Sequence, residues 1–348
     1  MNKSEKWEKL LLEINQTYKD KHQVISTEIK GLDYILGGGI ELGSKIQFVA
    51  ESGVGKSTLA LNICRNFCKK KLSVLYIDTE NSITNEMLKS TECNDYCNKT
   101  NEIEYGDLVL IKESNFSKVS KILDDCIALE HFSLIIIDSL PNLINDGYTN
   151  IRNKKGPIGI NNYNTNYESR PLNLFINKYS SLANEYNVAM LYINQYRNKI
   201  DPNKGTINKE YGNKLVKYNS DIIIQIKKDK EEFVMDENSV LLSNDMKKSG
   251  IVSTHAKLTF ITEKTNKQYT GLTSGSILKY GYGIEPKIDM IFDLIRKEKI
   301  IKNGKYYKIK VGSQEIQFDG IISLINGFIE NYDNIIPYFE SQYDDYEY

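Results

Sequence analysis

The segment Ala50-Glu51-Ser52-Gly53-Val54-Gly55-Lys56-Ser57-Thr58 sets a lysine and two hydroxyls directly after two glycines. An apolar run, Ile46 to Val49, precedes it and a helix-like run, Leu59 to Phe67, follows. Strand, tight loop and helix is the setting in which this spacing binds a nucleoside triphosphate. The loop from Glu51 to Gly55 turns its backbone N–H groups toward the phosphates, and the helix N-terminus adds partial positive charge. Lys56 can reach the terminal phosphates, and Ser57, with Thr58 beside it, can hold Mg²⁺ through its hydroxyl. The first glycine of the pattern is replaced by Ala50, a position that needs a small residue, while Gly53 and Gly55 keep φ free.

Three more strand ends carry matching chemistry. Asp138 closes Leu134-Ile135-Ile136-Ile137, where an acidic residue anchors Mg²⁺ and its waters. Glu80 follows Val74-Leu75-Tyr76-Ile77-Asp78, where a carboxylate can orient and deprotonate an attacking water. Gln195 follows Leu191-Tyr192-Ile193-Asn194, where a neutral amide can sense a γ-phosphate and pass its presence to the loop behind.

Those residues need a scaffold that brings strand ends together. The chain of 348 residues alternates short continuous apolar runs with helical patterns. Strands are expected at Ile46–Ala50, Val74–Asp78, Leu108–Lys112, Leu134–Asp138, Val188–Asn194 and Asp221–Lys227. Helices are expected at Ser57–Lys69, Val119–Leu129 and Pro171–Tyr186. This is an α/β fold with a mostly parallel sheet covered on both faces, and such sheets bind ligands at the carboxyl ends of their strands. Residues 1–21 read as a helix, 25–43 as a loop-rich entry with a triple-glycine turn, and 228–256 as a polar hairpin or insertion. From Ile284 a small α/β lobe is expected, with helices at Ile288–Lys297 and Ile321–Tyr332 around a strand at Tyr306–Val311.

No apolar run reaches the ~18 residues of a membrane span, and the charged N-terminus lacks the pattern of a secretory signal. A cytoplasmic protein is therefore expected. The five cysteines argue against a disulfide framework. Cys64 and Cys68, one turn apart, read as packed apolar residues rather than metal ligands. The net charge is −1, but unevenly spread. Residues 150–170, with Arg152, Lys154, Lys155 and Arg170, carry +3. Residues 196–217, with Arg197, Lys199 and Lys204 among them, carry +4, while 330–348 carry −6. Two basic loops with interleaved tyrosines fit a groove for single-stranded nucleic acid, and the acidic end fits a competitor for it. The second loop shows no apolar pattern, and long structureless loops are usually functional. Asn198-Lys199-Ile200-Asp201 matches a guanine-binding motif but stands four residues past Asn194, so it reads as coincidence.

In this order and spacing the motifs resemble the RecA family of recombination ATPases, over roughly residues 25–330. The matching residues are Ile25-Ser26-Thr27, Gly31-Leu32-Asp33, the phosphate loop, Ile77-Asp78-Thr79-Glu80, Ile137-Asp138-Ser139, Ile193-Asn194-Gln195 with Arg197, Gly212-Asn213 with Leu215, and Tyr280-Gly281-Tyr282-Gly283-Ile284. The resemblance implies an ATP- and Mg²⁺-dependent, DNA-stimulated ATPase that forms helical filaments on single-stranded DNA and pairs it with a homologous duplex. It implies that Glu80 is the catalytic base, that Lys56 and Gln195 contact the γ-phosphate, and that DNA loops lie near 146–170 and 196–212. Arg170, Gly212 and Asn213 stand where the family contacts DNA. Lys264 and Lys267 stand nearest the lysines that reach across a subunit interface, though their spacing differs by one. The implied divisions are a docking helix (1–24), an ATPase core (25–283), a small lobe (284–330) and an acidic tail (331–348). A ring helicase built on the same core, or an ATP-gated regulator without catalysis, are the alternatives.

Overall fold

A computed structural model of the chain describes residues 5–12, 23–97, 106–143, 166–201, 205–210, 214–235, 240–242, 254–266 and 270–340. After helix α1 (5–12) the chain runs β1 (Val24–Ile25), α2 (Lys30–Leu36), β2 (Ile40–Glu41), β3 (Lys45–Ala50), α3 (Lys56–Lys69), β4 (Ser73–Asp78), α4 (Asn85–Ser90), β5 (Leu108–Lys112), α5 (Phe116–Ala128) and β6 (Phe132–Asp138). It continues through α6 (Asn166–Glu185), β7 (Ala189–Asp201), β8 (Gly205–Glu210), α7 (Lys214–Asn219), β9 (Ile222–Met235), β10 (Val240–Leu242), β11 (His255–Lys264), β12 (Thr273–Lys279) and β13 (Gly283–Ile284).

The central sheet has the order β13-β12-β11-β9-β3-β7-β6-β4-β5. From β9 to β5 every neighbouring pair is parallel, and β11, β12 and β13 extend the edge in antiparallel fashion. Alternate residues of each parallel strand enter opposite cores, as the period of two requires. Ile46, Phe48, Tyr76, Ile136 and Ile193 pack on the α3 side, and Leu75, Ile77, Ile135, Ile137 and Tyr192 on the α5 and α6 side. Both faces are dry, so polar side chains are few inside these strands, with Gln47 of β3 an exception, and most gather near the strand ends. The register aligns those ends: Ala50 lies opposite Gln195 and Asp78 opposite Asp138.

The lobe comprises α8 (Pro286–Arg296), a three-stranded antiparallel sheet of β14 (Ile300–Asn303), β15 (Tyr306–Val311) and β16 (Gln314–Asp319), then α9 (Gly320–Glu330), α10 (Tyr332–Ile335) and α11 (Pro337–Glu340). Its core joins Ile288, Ile291, Leu294, Ile309, Leu324 and Phe328. Asp289, buried in the lobe, accepts hydrogen bonds from the amides of Lys30 (2.6 Å) and Gly31 (3.4 Å) and so caps α2. Burial pushes its carboxyl pKa up to about 6.

Several sequence expectations change. The entry segment is not a loop: α2 forms there, and Gly37 (φ 74°) ends it in the left-handed conformation, with the Gly38 amide returning to Asp33 O at 2.8 Å. Helix α6 begins at Asn166, five residues before Pro171, and carries the proline inside it. The polar run Asn166 to Ser169 has no apolar period to announce that start. The segment after Gln195 is a β-hairpin in which Arg197 pairs with Lys209 and Lys199 with Ile207. The stretch expected as an acidic tail is helical through Glu340, because Ile335, Ile336 and Phe339 bury themselves in the lobe core. None of the described helices is long and apolar enough to cross a membrane.

Candidate nucleotide and nucleic-acid site

The phosphate loop joins β3 to α3. Gly53 (φ 75°) and Gly55 (φ 101°) both hold left-handed backbone, which an L side chain resists. At Gly53 a Cβ would meet nothing within 4 Å, so conformation alone selects glycine there. Glu51, Ser52 and Gly53 are exposed, whereas Val54, Lys56 and Thr58 are buried. The Lys56 ammonium, 7 % exposed, donates to the carbonyls of Glu51 (2.7 Å) and Ala50 (3.4 Å) across the mouth of the loop. Burial pulls its pKa down, and the nearby charges of Asp138 and Glu80 oppose that.

Asp138, 1 % exposed at the end of β6, accepts a hydrogen bond from Tyr76 Oη at 2.6 Å. Tyr76 lies two residues short of the β4 end and on the same face, so its hydroxyl crosses diagonally to the carboxylate. Burial raises the Asp138 pKa to about 6, against the lowering effect of the Ser57 and Tyr76 hydroxyls. Ser57 and Asp138 thus stand together at the helix start. One hydroxyl and one carboxylate are the small protein share that Mg²⁺ takes when phosphates and water complete its shell.

Glu80 sits one residue beyond a latch between β4 and β6. The Thr79 hydroxyl donates to Ser139 O (2.8 Å) and accepts from Ser139 N (2.7 Å), and the Asp138–Ser139 peptide is cis. One Glu80 oxygen, Oε1, accepts from Ser139 Oγ (2.6 Å), Asn142 Nδ2 (2.8 Å) and Gln195 Nε2 (2.8 Å). The other oxygen has no hydrogen-bond partner among the described residues. Three donors on one oxygen fix the carboxylate's direction and leave the second to take a proton. Gln195 is held in turn through its backbone, whose N–H donates to Asn194 Oδ1 at 2.8 Å, and Asn194 is fully buried.

Lys56, Ser57, Glu80, Asp138 and Gln195 therefore meet at one edge of the sheet. Residues 5–270 of this chain match the RecA N-terminal domain.

This chain belongs to the RecA family.

It is 29 % identical over 203 residues to the DNA repair and recombination protein RadB of Methanosphaera stadtmanae, covering 57 % of this chain and 78 % of that protein. It is 24 % identical over 299 residues to protein RecA of Rickettsia prowazekii, covering 83 % and 77 % respectively. Protein RecA of Phytoplasma mali is 24 % identical over 302 residues, or 86 % of this chain and 80 % of that protein.

Of the remaining RecA-like positions, Arg170 lies in the first turns of α6, and Arg197 and Lys199 lie on the β7–β8 hairpin that leaves Gln195. Arg152, Lys154, Lys155, Lys204, Gly212, Asn213 and Lys267 lie outside the described residues. Lys264 is committed within its own chain: its ammonium donates to the carbonyls of Lys217 (3.0 Å), Tyr218 (2.9 Å) and Ser220, at the C-terminal end of α7. Burial lowers its pKa.

Sequence reasoning passed over Ser139 and Asn142 as partners of Glu80, and Tyr76 as the partner of Asp138. Ser139 was visible as the residue after Asp138. Asn142 follows within a short 3₁₀ turn, Leu140–Asn142, whose geometry no spacing rule announces. The Ser26-Thr27 and Asp33 motif has a structural use. Asp33 accepts from both hydroxyls (2.7 and 2.6 Å), while Asn66 of α3 donates to Thr27 O at 2.6 Å. The cysteines are free, with Cys64, Cys68 and Cys93 buried in the α3-side core. No group of three metal-ligating side chains occurs among the described residues.

Proposed function

We propose that this protein is a DNA-dependent ATPase that assembles as a helical filament on single-stranded DNA and pairs that strand with a homologous duplex in recombination and repair. The observation that carries this reading is the hydrogen bond between Gln195 and Glu80 at the root of the β7–β8 hairpin. It joins a water-activating base to a γ-phosphate sensor that stands two residues before Arg197, where a basic segment starts. The phosphate loop from Glu51 to Thr58 takes the phosphates of ATP, with Lys56 moving from the Glu51 and Ala50 carbonyls to the terminal phosphate. Ser57 and Asp138 hold Mg²⁺, which when bound neutralises charge on the phosphate oxygens. Glu80 orients the attacking water through the oxygen that Ser139, Asn142 and Gln195 leave open. The basic residues Arg152, Lys154, Lys155, Arg170, Arg197, Lys199 and Lys204, with Gly212 and Asn213, form the strand-binding loops. Helix α1 exposes Trp7, Leu10, Leu11 and Leu12, an apolar surface that a neighbouring copy would cover in the filament.

The test is ATP hydrolysis with and without single-stranded DNA. Turnover is expected to rise on adding the strand, and strand binding to be tighter with ATP than with ADP. Hydrolysis indifferent to DNA would leave an ATP-gated regulator as the better reading. Closed hexamers in electron micrographs, without DNA-length filaments, would favour a helicase motor.

A further inference from the structure

Strand β7 continues beyond its last pairing with β3, where Gln195 faces Ala50. The next residue, Tyr196, projects to the opposite face from Gln195, as strand geometry requires. Past the end of β3 its hydroxyl reaches the antiparallel edge of the sheet. There it donates to Glu263 Oε1 at 2.8 Å and accepts from Gln225 Nε2 at 2.8 Å. The other Glu263 oxygen lies 3.6 Å from the Lys217 ammonium. Lys217 belongs to α7, which follows the hairpin. Next to Glu263, Lys264 holds the carbonyls that end α7.

The ladder between β11 and β9 is irregular at this point, with its register shifting between Thr262 and Lys264. Glu263 is the residue between those pairs. An irregularity of this kind re-aims a side chain. It lets two consecutive residues, Glu263 and Lys264, serve the same segment. The end of β11 thus grips the chain at the root of the hairpin, at Tyr196, and after it, at Lys217 to Ser220.

We infer that Tyr196 and Glu263 are positioning residues, a clasp that carries the state of Gln195 to both ends of the hairpin. This rests on the reading of that hairpin as a strand-binding element governed by the γ-phosphate. Any shift of the Gln195 amide away from Glu80 moves the adjoining Tyr196 peptide. Through Glu263 that movement is imposed on α7, so the hairpin changes as a unit rather than at one root only. The Tyr196–Glu263 bond is charge-assisted and half-buried, which makes it the strong member of the clasp. The Lys217 pair is partly exposed and contributes less.

The experiment is a double-mutant cycle on the full-length protein with Tyr196→Phe, Glu263→Ala and both together. It reads ATP turnover without DNA and at saturating oligothymidine. The maximal stimulation by DNA is expected to fall about tenfold in each single variant, the size of a lost hydrogen bond to a charged group. The double variant is expected to fall no further than the weaker single. Glu263→Ala is expected to keep its DNA-free turnover, a readout that general damage to the fold would move. Glu263→Gln, which keeps an acceptor for Tyr196 in the same shape, is expected to restore most of the stimulation and stands in if the alanine variant does not fold. Wild-type stimulation in Tyr196→Phe, or losses that multiply in the double variant, would overturn the clasp while leaving the proposed function intact. A loss seen only in apparent DNA affinity would also overturn it, showing a direct contact instead. A wild-type protein that oligothymidine does not stimulate would remove the underlying reading, and the clasp with it.

Discussion

The central sheet and the lobe sheet treat polar residues in opposite ways. In the parallel half of the central sheet both faces are covered, and β3, β4, β6 and residues 189–194 of β7 are buried almost throughout. Their polar groups are few inside the strands, and those at the carboxyl ends are brought together by register. The lobe sheet covers one face with Ile300, Tyr307 and Ile309 and leaves Ile301 and Tyr306 exposed. Its charges spread over a wet surface and pair locally, as Lys305 does with Asp319 (3.1 Å) and Lys308 with Glu315 (2.7 Å). Such pairs contribute little. A sheet that is dry on both sides concentrates chemistry at one edge, whereas a sheet wet on one side disperses it.

The sharpest way to break this comparison is at the concentrated edge. Glu80→Gln is expected to keep nucleotide binding and lose about 10²–10⁴ in turnover, the range for a general base. Steady-state hydrolysis beside nucleotide titration checks it, and unchanged turnover would remove Glu80 from the chemistry. The next effect contrasts the two sheets directly. Ile136→Ala, in the dry sheet, is expected to cost about 2–5 kcal/mol in urea unfolding. Ile301→Ala, on the wet face of the lobe, should stay within about 0.5 kcal/mol; equal losses would mean the lobe face is covered.

Asp289, at the junction of lobe and core, gives a pH signature. Its carboxyl pKa of about 6 in the fold exceeds the ordinary 3.8, so the native state binds its proton more tightly than the unfolded chain. Its contribution to stability therefore grows as pH falls through about 6 and is lost as pH rises through it. Between pH 8 and pH 5 the wild type should gain stability relative to Asp289→Asn by about 1–2 kcal/mol. Parallel melting curves across that range would place the buried proton elsewhere. The smallest effect is at the basic hairpin: Arg197→Ala should weaken strand binding and lower the salt slope by about one. An unchanged slope would refute a phosphate contact there.

Much of the candidate site was legible because its signals are local. The order apolar run, Gly53, Gly55, Lys56, Ser57 encodes a strand, a loop and a helix start without help from the rest of the chain. Glu80, Asp138 and Gln195 each stand at or just past the end of a continuous apolar run, so their places at the carboxyl ends of the buried stretches followed from burial. The partners that orient them were not legible. Asn142 reaches Glu80 by way of a 3₁₀ turn, and Tyr76 reaches Asp138 only because β4 and β6 are neighbours, a pairing that no single run states. The β7–β8 hairpin escaped notice because polar strands lack the alternation that marks a half-buried one. Helix α2 was hidden by Gly31 and the glycine run that follows the helix, and the last helices of the lobe by the acidic residues around Ile335, Ile336 and Phe339.

The amino-acid order alone determined the buried parallel strands, the glycine-rich loop after β3 and the identity of the groups at the carboxyl ends of four buried stretches, since propensity, period and turn chemistry act over a few residues. Only the tertiary structure decided which strand stands beside which, and therefore that Gln195 bonds Glu80 across 115 positions of sequence and that Tyr196 meets Glu263 across 67. Contacts at that separation depend on how distant apolar faces pack, and packing is a property of the whole chain.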